Sequence, residues 1–304
     1  MPAFRPRVAL VGATGFIGSR VAEAFVEERV EVAALIRDPS RPFPTGVIPV
    51  AADLESGDGL LDGLAGCESL VHAASYVGSD ERMQHRVNVR GTERLLAAAR
   101  EAGISRIVYV STAGVYGGAL RAGGDETQLR PSPRSPLSRS RREAEIRVEA
   151  AGGTVVRPNM VVGAGDTWFL LPLLKLLLTL DAWIEEGAVR VSTINVASLG
   201  RVVSRLALTP HEAGVFHAAG LEPVAVRDLV EPVLMAAGVE IPARSLSLDE
   251  ARRLLVPRGV SENQLDIVAR DNILDARRLS GVVPKERQVP GLLPYDVAWY
   301  TERL

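Results

Sequence analysis

The sequence predicts an α/β fold, a doubly wound parallel sheet with a smaller C-terminal substrate-binding portion, and two observations carry this. From Arg7 to about Pro158, short β-branched runs alternate with longer helical stretches, the pattern of parallel strands joined by crossover helices. After the first run comes a glycine-rich turn, Gly12-Ala13-Thr14-Gly15-Phe16-Ile17-Gly18, which leads directly into a helical stretch. The expected division is residues 1–158 for the sheet domain and 159–304 for a mainly substrate-binding portion, with some elements returning to the first.

The strand runs are Val8 to Val11, Val30 to Ile36, Val47 to Ala51, Ser69 to Ala73, Arg106 to Ser111 and Thr154 to Arg157. Six parallel strands fit a Rossmann sheet. Ser19 to Glu28, Asn88 to Ala102 and Arg139 to Ala151 supply helices for its two faces, and in the second Leu95, Leu96 and Ala99 recur at helical spacing. Gly117 to Pro136 is rich in Gly, Ser, Pro and Arg without a hydrophobic period, and reads as an exposed or mobile loop bordering a site. Beyond Pro158 alternation is lost: apolar helices mix with short strands such as Val189 to Ile194 and Val215 to Ala218.

Composition excludes several classes. At 304 residues and 47% hydrophobic the chain can bury a substantial core. Its net charge of -2, with no basic run interleaved with aromatics, argues against nucleic acid and anionic membrane surfaces as partners. A single cysteine, Cys67, allows neither an internal disulfide nor a thiolate metal cluster, so no metal is expected and the cytoplasm is the expected compartment. Met1 to Pro6 lacks the charged-then-apolar order of a signal peptide. Trp168 to Leu180 is strongly apolar, but Pro172 and Lys175 interrupt it and it falls short of the roughly 20 residues of a membrane span, so it reads as a buried or pocket-covering helix.

The spacing of Gly12, Gly15 and Gly18 between strand and helix assigns each glycine a physical role. Gly12 permits a tight turn, Gly15 lets backbone approach a pyrophosphate closely, and Gly18 lets the helix pack tightly. The free amides of the helix start, from Thr14 through Phe16 and Ile17, then face phosphate. Arg37 and Asp38 end the second strand. A guanidinium there favours the 2′-phosphate of NADPH, with Arg41 assisting, whereas Asp38 on the ribose would favour NAD. Asp53 and Leu54 lie where adenine is expected.

The chain resembles the extended, epimerase/dehydratase-like branch of the short-chain dehydrogenase/reductase superfamily. The resemblance rests on Gly12 to Gly18, Asp53-Leu54, Val71-His72-Ala73-Ala74, Asn88-Val89-Arg90-Gly91-Thr92, Val110-Ser111-Thr112-Ala113-Gly114-Val115-Tyr116-Gly117, Arg157-Pro158-Asn159 and Gly163-Ala164-Gly165-Asp166. It implies that Ala73, Ala74, Asn88 and Pro158 join the cofactor site, and that a monomer or homodimer forms. It also implies three catalytic positions: a hydroxyl after the fifth strand, a tyrosine, and a lysine four residues on. Thr112 holds the first, with Ser111 beside it, but the tyrosine position falls on Leu137 and the lysine position on Arg141. No shifted pair exists, because the only lysines, Lys175 and Lys285, have no tyrosine four residues before them. Arg141 can bind ribose hydroxyls, yet as a permanent cation it is a poor proton relay.

Without that tyrosine, three proton sources are open: Tyr76 after the fourth strand, the Ser111 and Thr112 hydroxyls as polarising groups, or a phenolic or enolic hydroxyl on the substrate itself. The last suits a small hydrophobic aromatic ligand among Tyr76, Tyr116, Leu137, Asn159, Met160, Trp168 and Phe169. A retained fold with a missing tyrosine is similar to the atypical ketoreductases of aromatic polyketide antibiotic pathways. The leading expectation is therefore an NADPH-dependent ketoreductase of a polycyclic aromatic ketone; a silent NADP-binding sensor or scaffold and a non-redox isomerase or cyclase are the alternatives.

Overall fold

The structure, a computed structural model, describes residues 7–284 and 288–304, without the side chains of 118–122 and 263. Lys285 and the segment before Arg7 lie outside the described residues. Strands β1 (Arg7–Val11), β2 (Glu31–Ile36), β3 (Val47–Ala51), β4 (Ser69–His72), β5 (Arg106–Val110) and β6 (Thr154–Pro158) form the expected parallel sheet. Helices α1 (Phe16–Glu27), α2 (Leu60–Leu64), α3 (Glu81–Gln84), α4 (Thr92–Glu101) and α5 (Pro136–Ala150) connect them. Asn88 falls in a π-helical stretch, His85–Gly91, that runs into α4.

Period-two alternation assigns the faces. On β1, Val8 and Leu10 enter a core with Val21 and Phe25 of α1, while Ala9 and Val11 enter the opposite core with Leu95 of α4 and Val148 of α5. Pro136 begins α5 at the position where its missing N–H has no helical partner, and Ser135 caps it through the Ser138 N–H. Cys67 is half-buried beside the second of these cores, its thiol against the Gly63 carbonyl, and burial raises its pKa.

The second half contains β7 (Met160–Val162), α6 (Leu170–Leu180), β8 (Trp183–Ile184), β9 (Arg190–Val191), β10 (Thr193–Asn195), α7 (Val196–Leu208), β11 (Val215–Ala218), β12 (Val224–Ala225), α8 (Val226–Ala236), β13 (Ser245–Leu246), α9 (Leu248–Leu255), α10 (Glu262–Ala269), α11 (Arg277–Ser280) and α12 (Pro294–Thr301). The run Val189 to Ile194 divides into β9 and β10, which pair with different partners. β11 is a seventh parallel strand of the main sheet, whose order is β11-β6-β5-β4-β1-β2-β3. α7 also lies on this sheet, packed on α1 so closely that a Cβ at Gly200 would sit 2.4 Å from the Arg20 carbonyl oxygen.

A separate core holds most of the C-terminal elements. Leu170, Leu171, Leu173, Leu174 and Leu177 of α6 pack there with Val230 and Leu234 of α8 and with Tyr300 of α12; each buried leucine contributes roughly 2 kcal/mol. α12 is fastened by polar contacts as well. The Tyr300 hydroxyl donates to Asp166 (2.9 Å) and accepts the Gly163 N–H (3.0 Å), while Asp296 accepts from Ala164 N–H (2.7 Å) and Asn195 Nδ2 (2.7 Å). Among the described residues no helix is long and apolar enough to cross a membrane.

Candidate active site

The strand order reverses at β1, whose neighbours are β4 and β2, and ligands of such sheets bind at the carboxyl ends beside that reversal. A cavity of about 380 Å³ lies there, lined by Gly12, Thr14, Gly15, Arg37, Asp53, Leu54, Ala73, Ala74, Ser75 and Tyr76. Gly12 turns with φ +95°, and a side chain on it would collide with the Ala73–Ala74 backbone. A Cβ on Gly18 would stand 2.0 Å from the Gly12 carbonyl oxygen, so glycine alone lets the helix start touch the turn. Gly15, by contrast, has room for a Cβ, whose nearest contact would be Gly12 O at an ordinary 3.4 Å. α1 has no side-chain cap, which leaves the amides of Phe16, Ile17 and Gly18 for an anion.

A second hollow, at the far end of β2, is lined by Thr14, Ile36, Arg37, Asp38 and Arg41. Asp38 is turned toward Ser40, accepting from its hydroxyl (2.5 Å) and its N–H (3.1 Å), which together hold its carboxyl below the usual range. Arg37 and Arg41 form no ion pair among the described residues. The cleft fits a dinucleotide: a helix amino terminus for the pyrophosphate, arginines at the adenosine end, and, beyond β4, a buried Ser75 hydroxyl without a partner.

Across β4 and β5 the edge continues into a cavity of about 430 Å³ bordered by Thr112, Arg134, Ser138, Asn159, Met160, Ser261 and Asn272. Thr112 Oγ1 accepts the Gly114 N–H at 3.0 Å. Ser111 is buried with its hydroxyl unpartnered. Asn159 gives its Nδ2 to the Ser192 carbonyl (2.8 Å) and to Asn272 (3.1 Å to Oδ1).

Several residues expected at the site stand elsewhere. Trp168 is 66% exposed and Phe169 belongs to the α6 core, so neither lines the cavity, because the apolar run turns its leucines into the second core. Leu137 is half-buried in the first turn of α5 and is not a lining residue. Asn88 is spent on the backbone of Tyr76, accepting its N–H (2.7 Å) and donating to its carbonyl (3.1 Å), with a further bond to Ser140 (3.1 Å). It fixes Tyr76 in the cofactor wall from behind. Pro158 is buried at the end of β6. Arg141 donates from Nη2 to the Val110 carbonyl (2.6 Å), and its buried Nε has no partner.

Tyr116 is fully buried in a polar chain rather than facing substrate. Arg157 Nη1 donates to its phenol oxygen (2.6 Å), the phenol donates to His217 Nε2 (2.6 Å), and His217 Nδ1–H donates to the Asp275 carbonyl (2.9 Å). Glu145 takes Arg157 in a two-point pair, 2.9 and 2.7 Å. The Glu126 carboxylate accepts the His217 N–H at 2.6 Å, so the segment read as an exposed or mobile loop is anchored to β11. The pairing of Tyr116 had no local sequence signal, because Arg157 lies 41 residues from it and His217 101. Ser75 could have been found, since it directly follows His72-Ala73-Ala74; Ser261 and Asn272 could not.

His72, at the carboxyl end of β4, is buried against Tyr109. Thr92 Oγ1 donates to the Asn88 carbonyl (2.6 Å) and so accepts from His72 Nε2 (2.9 Å), leaving Nδ1 bare. Burial, with the Arg141 charge adding to it, pushes the imidazole down to about 3. The ring is neutral.

A parallel sheet with a dinucleotide cleft at its strand reversal and a second cavity beside a hydroxyl after β5 defines a nicotinamide-dependent oxidoreductase of the short-chain dehydrogenase/reductase type. The chain belongs to the NAD dependent epimerase/dehydratase family, whose model matches residues 8–169. It is 31% identical over 261 residues, 81% of this chain and 78% of the other, to a 4-hydroxy-2-methyl-3-oxo-4-farnesyl-3,4-dihydroquinoline-1-oxide ketoreductase of Stigmatella aurantiaca. A 2-alkyl-3-oxoalkanoate reductase of Stenotrophomonas maltophilia is 28% identical over 82% of this chain and 81% of its own. Among solved structures, the Bordetella bronchiseptica enzyme WbmH in complex with NAD+ superposes with a TM-score of 0.74 at 20% identity, covering 98% of this chain and 99% of that one. That last likeness concerns the fold.

Proposed function

We propose that the protein is an NADPH-dependent ketoreductase acting on a hydroxylated ketone, of the polycyclic aromatic kind found in polyketide antibiotic pathways, with the substrate's neighbouring hydroxyl delivering the proton. One observation carries the reading: no tyrosine borders the cavity that contains Thr112. Of the five tyrosines, Tyr109, Tyr116 and Tyr300 are buried in cores, Tyr295 is exposed on α12, and Tyr76 lines the cofactor side. The Stigmatella relative's name puts a 3-oxo group beside a 4-hydroxy group, which supports a hydroxyl adjacent to the reacting carbonyl. NADPH over NADH is supported by Arg37 and Arg41 at the adenosine end and by Asp38 being committed to Ser40.

When bound, a dihydronicotinamide supplies a hydride to the carbonyl carbon. The first turn of α1 would hold the pyrophosphate, and Ser75, in the lining of the cleft, has a hydroxyl left for the nicotinamide ribose. Thr112 Oγ1 already accepts from Gly114, so its own hydrogen is available to the carbonyl oxygen as negative charge gathers there. The substrate hydroxyl gives its proton to that oxygen, is left as its anion, and regains a proton from water.

The test is loss of NADPH absorbance with paired ketones whose neighbouring hydroxyl is free or methylated, products being checked for a gain of two hydrogens. Methylation should slow turnover by about 10²-fold or more, while Tyr76→Phe stays within a few-fold of native. Equal rates for the pair overturn the mechanism, and collapse of Tyr76→Phe would assign the proton to that phenol. NADPH binding with no turnover of any ketone would favour a silent sensor.

A further inference from the structure

The cavity beside Thr112 is more polar than an aromatic ketone alone requires, and most of its polarity is already used within the protein. Ser135 and Ser138 bond each other in the cap of α5, at 2.9 Å between hydroxyls. Ser261 caps α10 and bonds Gln264 Oε1 (2.8 Å). Asn159 and Asn272 are joined to each other. Among the described residues Arg134 is the one charged residue in the lining, no carboxylate borders the cavity, and the Arg134 guanidinium forms no ion pair.

Its seat is built by the backbone. Gly117 adopts φ 60° and ψ −128°, a conformation open to glycine, and a Cβ there would stand 3.2 Å from Arg134 Cγ and 2.4 Å from the Ser132 carbonyl oxygen. The stem of Arg134 therefore crosses the space that glycine leaves. Arg139 Nη1 donates to the Arg134 carbonyl (3.1 Å), tying the segment to α5. A chain of net charge -2 thus presents an unpaired guanidinium at the cavity that contains the candidate hydroxyl. The N-cap residues of α5 and α10 both border the same cavity, so two helix dipoles add to its positive potential.

We infer that Arg134 recognises a carboxylate on the substrate, so that the ketone accepted here is a keto acid held by a guanidinium fork at one end of the cavity while its carbonyl meets Thr112 at another. The inference rests on the ketoreductase reading for the role of Thr112, and its test does not need turnover. The probes are 1-hydroxy-2-naphthoate and the matching uncharged amide, 1-hydroxy-2-naphthamide, titrated calorimetrically into the intact protein saturated with NADP+. A charge-assisted fork is worth roughly 10- to 100-fold over a neutral contact, so the naphthoate should bind at least ~10-fold more tightly than the amide. Arg134→Gln should bring the two within about 2-fold, and Arg134→Lys should retain part of the preference. Equal affinity in the native protein, no detectable naphthoate binding, or a preference that survives Arg134→Gln would overturn the inference. Naphthoate preference in a protein that reduces no ketone would instead count against the reductase reading and leave Arg134 as an anion site.

Discussion

Replacing Glu145 by glutamine removes one charge from the most deeply buried ion pair among the described residues. Glu145 is fully buried and accepts three bonds, from Arg157 Nε (2.9 Å), Arg157 Nη2 (2.7 Å) and Arg142 Nη1 (2.9 Å). Glutamine preserves the volume but turns an NH₂ toward a guanidinium, donor against donor, and leaves the Arg157 cation facing only neutral oxygens, those of the amide and of Tyr116. Breaking one side of such a pair costs about 3–5 kcal/mol, because the remaining charge stays desolvated. In a chain of this size that lowers the melting temperature by on the order of 10 °C. The assay is urea unfolding followed by tryptophan fluorescence, to which the buried Trp183 contributes. Glu149→Gln, on the same helix, is the comparison: its bond to Arg142 (2.6 Å) joins side chains 37% and 25% exposed, and exposed pairs are worth less than ~1 kcal/mol. Replacing both partners, Glu145→Leu with Arg157→Met, should recover most of the loss. If Glu145→Gln proves as mild as Glu149→Gln, the reasoning from buried charge is wrong.

Arg37→Ala should raise the KM for NADPH about 10- to 100-fold and leave that for NADH nearly unchanged, in steady-state assays with both cofactors; equal losses would remove Arg37 from the phosphate site. Gly18→Ala should destabilise the fold by about 1–3 kcal/mol through overpacking, whereas Gly15→Ala, which meets only Gly12 O at 3.4 Å, should leave the melting temperature nearly unchanged and weaken NADPH binding measured by fluorescence titration. His72 has a folded pKa depressed from 6.5 to about 3, first by burial and then by Arg141. The unfolded chain therefore binds the extra proton, so this contribution is complete above 6.5 and is lost as pH falls toward 3, at up to about 1.4 kcal/mol per pH unit. Urea midpoints across that range should fall less steeply for His72→Asn; an identical slope would show that His72 does not govern it.

What could be read from the chain follows the range of the forces involved. The turn at Gly12 to Gly18 and the first six strands depend on neighbours in sequence, and their periodicity was sufficient. β11 was legible as a strand, yet nothing within Val215 to Ala218 says that it lies on β6 rather than beside its sequence neighbours. The run after Trp168 was legible as a buried or pocket-covering helix, but apolarity marks burial without distinguishing a ligand cavity from a second core, and here α8 and α12 claim the leucines. Tyr116 looked like a wall residue because its motif lies beside Thr112. The partners that bury it, Arg157 and His217, come from two other strands. The polar character of the cavity beside Thr112 depends on Arg134, Asn159, Ser261 and Asn272, which only the tertiary fold assembles.

The fastening of α12 has a consequence for biogenesis. Tyr300 and Asp296 hold the turn that begins the C-terminal half, at Gly163, Ala164 and Asp166, across 132 to 137 residues. During synthesis the turn emerges early and its clasp emerges late, so that half waits for α12 to leave the ribosome, while β1 to β6 can already form a sheet behind it. Until then the leucines of α6 have α8 as a partner but lack the cover that α12 adds, and that part of the core stays open. Slower translation of the final helices would therefore lengthen that exposure rather than relieve it.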